Sequence, residues 1–147
     1  MRIFDKLHAG LLRLMAGMGA IFYAKSVADA VLDAALNVIA TSTRMTACNA
    51  QPTTYTEANA TFALADVTMA GGDFSNANGD TSGRKVTVAA KAGVLIDTSG
   101  TATHVALMVV GSTTLLYVTT CTSQALTANG SNTVNFPAWD IEIADPT

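Results

Sequence analysis

Residues Ala102–Cys121 constrain this chain more than any other stretch. Two runs rich in Val, Leu, Tyr and Thr flank Gly111-Ser112, and Gly followed by a small polar residue suits a two-residue type II′ turn. The spacing therefore predicts a β-hairpin. In its first arm Val105, Leu107 and Val109 alternate with Ala106, Met108 and Val110. An arm that is apolar on both faces is expected to be covered on both sides, or to lie in a subunit contact. The hairpin is read as a core element with nothing chemically reactive in it.

Further strands follow at close spacing from Arg84: 84–90, 93–97, 101–110, 113–121, 133–136 and 139–144, with turn residues at Thr98-Ser99-Gly100 and Asn129–Asn132. In the last of them Trp139, Ile141 and Ile143 face one way, and Asp140 and Glu142 the other. Trp139 is the expected aromatic anchor of the core. Before Arg84 the pattern is mixed. Ser26 with Asp29 three residues on resembles a capping box opening a helix over about 26–40. Its stripes Val27/Val31/Ala35/Val38 and Leu32/Leu36/Ile39 merge into a broad apolar face expected to lie on the sheet. Residues 45–50 and 67–69 read as short strands, 56–65 as helical, and Gly71–Gly83 as one long turn-rich loop. The expected fold is mainly β (α+β): a small antiparallel β-sandwich or partly closed barrel with one or two N-terminal helices.

The size of the chain, 147 residues, suits one domain. Two segments are expected: an N-terminal amphipathic extension, 1–21, and a single β-rich domain, 22–147, with its leading helix. In the extension Ile3, Leu7, Leu11, Leu14, Met15 and Met18 fall at helical spacing. His8 and Arg13 interrupt the apolar run that a membrane span needs, and Asp5 and Arg13 spoil a signal peptide. Docking or self-association through the apolar stripe is the favoured reading, ahead of packing on the domain's own core. No membrane partner is expected.

Charged residues make up only 13% of the chain, against roughly 25% in an average soluble protein. A free monomer built this way has few charges to keep it soluble, so burial in an assembly is favoured and a homo-oligomer is expected. The net charge of −3, with Arg84-Lys85 as the one adjacent basic pair, argues against a nucleic-acid partner. That pair reads as a solvated strand start.

Each constellation that might carry chemistry meets a plainer reading. Cys48 and Cys121 match no metal or redox spacing, and two buried free thiols are favoured over a disulfide. His104 lies inside the hairpin, where a hydrogen-bonded histidine is far commoner than a catalytic one; His8 has no ligand partner at i+4. Asp140 and Glu142 stand at i, i+2, a spacing at which two carboxylates can cooperate, but a solvated strand face outweighs it. Asp73, Asn76, Asn78 and Asp80 are oxygen donors in one loop, yet their spacing misses the EF-hand pattern. Gly79–Gly83 is not a serine-nucleophile segment, because Thr81 is inserted and no His and Asp partners stand in order. Catalytic residues, cofactor-binding residues and metal ligands are all expected to be none, and a non-enzyme is the expectation. Tyr55, Phe74 and Tyr117 are too few for a carbohydrate-binding module.

From about Phe22 to Thr147 the chain resembles a family of small virion structural proteins of tailed bacteriophages. The likeness is carried by Ala28–Leu36, Gln51–Ala58, Gly79–Lys85, Thr103–Ala106, Leu116–Cys121 and Pro137–Ile143. Residues 1–21 lie outside it, because members of that family begin near Phe22. The resemblance implies a non-enzymatic virion component in many copies, assembled in the cytoplasm of a bacterial host. Head decoration or reinforcement is the first expectation, with the major capsid protein and other virion proteins as partners. A tail or neck component is the alternative within the virion. A pilus-like filament subunit, assembled through the N-terminal helix, is the alternative from another class.

Overall fold

The computed structural model describes residues 27–146. The elements run α1 (Asp29–Ile39), β1 (Arg44–Cys48), a π-helical turn (Glu57–Thr61), β2 (Ala63–Thr68), a 3-10 turn (Gly71–Asp73), β3 (Phe74–Asn78), β4 (Arg84–Val88), β5 (Lys91–Leu95), β6 (Gly100–Val109), β7 (Thr114–Leu126), β8 (Thr133–Phe136) and β9 (Trp139–Ile143). The fold is mainly β with one leading helix, and its strand pairs are antiparallel. A four-stranded sheet has the order β2-β1-β6-β7, a three-stranded sheet β3-β4-β9, and β5 pairs with β8. None of these sheets closes into a barrel.

One core lies between the sheets. Met45, Ala47, Val105 and Leu107 of the four-stranded sheet meet Val86, Val88 and Ile141 of the second and Val94, Val134 and Phe136 of the short pair. Such a residue removes on the order of 1.5–3 kcal/mol of side chain from water, so this layer is the main source of stability. The other face of the four-stranded sheet carries Cys48, Ala106 and Met108, covered by Tyr55, Ala58 and Phe62 from the π-helical turn and its flanks. The hairpin arm β6 is thus buried on both faces, as its sequence predicts.

The hairpin turn differs from expectation. It spans Val110–Thr113, closed by the Thr113 amide donating to the Val110 carbonyl at 3.2 Å. The left-handed residue is Thr113 (φ 49°), and Gly111 has no positive φ. A longer loop that turns first and then places one left-handed residue also matches the strand twist. The Thr114 hydroxyl donates to the Ser112 carbonyl at 3.1 Å and holds this corner. Strand β7 continues five residues past Cys121, to Leu126.

Five other expectations are corrected. Helix α1 begins at Asp29 with Ala28 in the cap position and no side-chain cap bond; Ser26 lies outside the described residues. Only the Leu32/Leu36 stripe is buried, while Val31 is 60% exposed and Val38 56%. Residues 56–65 divide between the π-helical turn and β2, where Leu64 and Ala65 enter the core. The expected 71–83 loop contains strand β3, so the open turn shrinks to residues 79–83. There Gly83 has φ +74°, and a Cβ would strike the Ile143 carbonyl. Trp139 is half-buried, and Phe136 is the aromatic residue that fills the core. The expected extension, 1–21, lies outside the described residues.

Candidate interaction surface

Charged side chains in the described residues are largely spent on joining elements. Arg84 on β4 donates from Nε to Asp33 Oδ1 on α1 at 2.8 Å, and its Nη1 reaches Asn78 on β3. Asn76 adds a bond to Asn37 at 2.9 Å. Lys85 sits between Asp80 at 2.6 Å and Asp140 at 3.0 Å, and its pKa is raised by these hydrogen bonds. Asp140 also accepts from the Thr87 hydroxyl at 2.6 Å, and this bond together with Lys85 lowers its pKa. Arg84-Lys85 is therefore a double clamp joining helix, turn and strand, and more than a solvated strand start.

The same holds for the other candidates. Asp73 pairs with Lys91 at 2.7 Å and accepts the Ala70 amide at 2.8 Å, which together hold its carboxyl below the usual range. The four oxygen donors of the 73–80 stretch thus turn to different partners: Asp73 to Lys91, Asn76 to α1, Asn78 to Arg84 and Asp80 to Lys85. Glu142 accepts the Asp80 amide at 2.9 Å, so it and Asp140 serve separate contacts. His104 Nδ1 lies 2.9 Å from the Thr103 hydroxyl, which itself donates to the Asn49 carbonyl. That leaves Nδ1 as the donor to Thr103. His104 is tied into the sheet, and no acidic side chain among the described residues is hydrogen-bonded to it.

A tie that sequence reading passed over lies at Thr54–Glu57. Glu57 Oε2 accepts the amides of Thr53 and Thr54 at 2.7 and 3.1 Å and the Thr53 hydroxyl at 2.8 Å, while the Glu57 amide donates to Thr54 Oγ1 at 3.2 Å. This is a reciprocal capping box, and its bonds lower the Glu57 pKa, the Thr53 amide contributing most. Its signal, Thr-x-x-Glu, stands in the sequence.

An extended uncharged surface lies along β7. All thirteen residues of this edge strand, Thr114–Leu126, are uncharged, and none is proline. Beside it two adjoining clefts, of about 210 and 280 Å³, open between β7 and the β8–β9 corner. They share Val105, Cys121, Thr122, Phe136 and Pro137, and no charged side chain lines either. Tyr117 and Trp139 stack near this opening with ring centroids 5.9 Å apart and planes at 30°. Each ring stiffens the other at a separation typical of offset stacking.

Both cysteines are free thiols. Cys48 is buried under the second core layer, and burial, with a smaller contribution from Cys121, pushes its pKa up to about 12. Cys121 is half-buried at the clefts, and partial burial raises its pKa as well. Neither environment favours the thiolate that nucleophilic chemistry requires.

No protein-family model, curated protein or solved structure matches the chain. Among the described residues, no helix is long and apolar enough to cross a membrane.

Proposed function

We propose that the chain is a non-enzymatic structural component of a tailed-phage virion, present in many copies, with head decoration or reinforcement as its role. The observation that carries this reading is the division of the surface. Charged groups are committed to ties within the domain, while the β7 edge and the α1 stripe Val31, Ala34, Ala35 and Val38 stand open and uncharged. Two such surfaces on one small domain suit a lattice component, which must meet neighbours of its own kind and the shell beneath.

The resemblance in sequence supports the same reading. Its segments Gly79–Lys85 and Pro137–Ile143 supply the Lys85 clamp, and Leu116–Cys121 lies in the open edge. They are structural parts. The major capsid protein is the partner this role implies, and a tail or neck position is the second reading within the virion.

Quantitative mass spectrometry of purified particles from the phage encoding the chain tests the proposal. A decoration protein is expected in a copy number comparable to that of the major capsid protein. A handful of copies per particle would move it to the tail or neck, and absence from the particles would overturn the virion reading.

A further inference from the structure

The edges of the four-stranded sheet are finished in opposite ways. On the β2 side the strand is six residues long and carries Asp66, which is paired to Arg44 at 3.3 Å. Its Leu64 carbonyl is already taken by the amides of Asp97 and Thr98, at 2.8 and 3.0 Å. Those are the usual devices against edge-to-edge association: a short strand, a charge and a covering loop. On the β7 side no charge, proline or covering strand is found among the described residues. Beyond the β6 ladder, no backbone group of Thr114–Leu126 has a hydrogen-bond partner among them.

The other edges are charged, tied or short: strand β9 carries Asp140 and Glu142, β3 is tied to α1 through Asn76, β5 carries Lys91, and β8, uncharged like β7, is only four residues long. Within β7, register shifts opposite Ala102/His104 and Leu107/Met108 bracket a regular segment, Tyr117–Thr120, paired residue for residue with His104–Leu107. Its outward backbone groups are set for a further strand. Thr120 is exposed, and Tyr117 and Cys121 turn towards the core layer.

We infer that Tyr117–Thr120 of β7 is the contact by which one copy of this chain joins a second copy, by antiparallel strand addition across a two-fold axis. Charge favours that place: among the described residues the chain carries four basic side chains against ten acidic ones, and like-charge contact between copies is least where none of these side chains stands. The β7 edge and its clefts are uncharged, and there the copies approach without like-charge contact. A strand paired antiparallel with itself is its own complement, so the contact needs no second surface. The inference deepens the many-copy reading and rests on it only for its biological setting; particles lacking the protein would remove that setting and leave the contact standing.

The test is sedimentation velocity of the full chain over a range of concentrations, for the wild type, Thr120→Lys, Thr68→Lys and a chain lacking residues 1–21. Lysine on an edge strand is a natural block to pairing. The wild type is expected to self-associate, and Thr120→Lys to weaken association at least tenfold with an unchanged circular dichroism spectrum. Thr68→Lys, on the opposite edge, is expected to behave as wild type. Hydrogen exchange of the wild type provides a reading free of substitutions: outward amides within residues 117–120 gain protection as concentration rises. The inference is overturned by a wild type that stays monomeric, by normal assembly of Thr120→Lys, or by unchanged exchange at 117–120. It is also overturned if removing residues 1–21 alone abolishes association, which would make that segment the occupant.

Discussion

Asp33 and Arg84 stand fifty-one residues apart in the chain and meet at 2.8 Å, fastening the leading helix to the central strand of the three-stranded sheet. Beneath this pair Leu36 is fully buried. The two contacts have different reach. Leu36→Ala opens a cavity in the shared core and is expected to cost the whole domain about 2–5 kcal/mol in chemical denaturation. Arg84→Ala is expected to act locally, speeding hydrogen exchange in Val31–Ile39 while leaving the β6 amides protected. Val38→Ala, on the exposed stripe, should fall within about 0.5 kcal/mol of wild type.

Thr46 sits on β1 with its hydroxyl fully buried and without a hydrogen-bond partner among the described residues. Its register neighbours are Asp66 on β2 and Ala106 on β6. Replacing the hydroxyl with a methyl group of similar shape removes an unsatisfied polar group from an apolar layer. Thr46→Val is expected to stabilise the domain by about 1 kcal/mol, read from the denaturation midpoint.

Stability is expected to fall in acid, by a route that the ion pairs define. The pKa values of Asp73, Glu57 and Asp140 are all lowered in the folded chain. A depressed folded pKa contributes stability that is present above the unfolded value, about 3.9 for Asp and 4.3 for Glu, and lost as pH falls through the folded value. Lys85 works at the other end. Its raised pKa contributes stability that is complete below about 10.4 and lost as pH rises through the folded value. Denaturation midpoints should be flat near neutrality and decline below about pH 4. Asp73→Asn should shrink that acid decline; an undiminished decline would remove Asp73 from the account.

Much of the β scaffold was legible in sequence because its signals are local. Thr133–Phe136 reads off its alternation, and Val105–Met108 off its two apolar faces. What escaped depends on distant partners. Phe74–Asn78 looks like loop because Asn and Gly suit turns, yet pairing with β4 makes it a strand. Gly111 suggests the left-handed turn position, but the loop length puts it at Thr113. Val31 and Leu32 are indistinguishable by helical period, and only the placement of the sheet decides which is buried. The β7 edge was hidden for the same reason. A strand shows its composition in the sequence, and its neighbours only in the sheet.

The thiols should separate by reactivity. Cys48 is buried with its pKa pushed up to about 12, whereas Cys121 borders the open clefts. A thiol reagent at pH 8.5 is expected to modify Cys121 alone in the folded chain, and Cys48 only after denaturation. Equal rates at both sites would contradict the placement of Cys48 under the π-helical turn.

The most direct test of the central claim is immunogold electron microscopy of purified phage particles, with an antibody raised against residues 27–147. Gold spread over the heads is the predicted result. Bare particles alongside labelled cell-surface filaments would contradict the virion reading and put a filament subunit in its place.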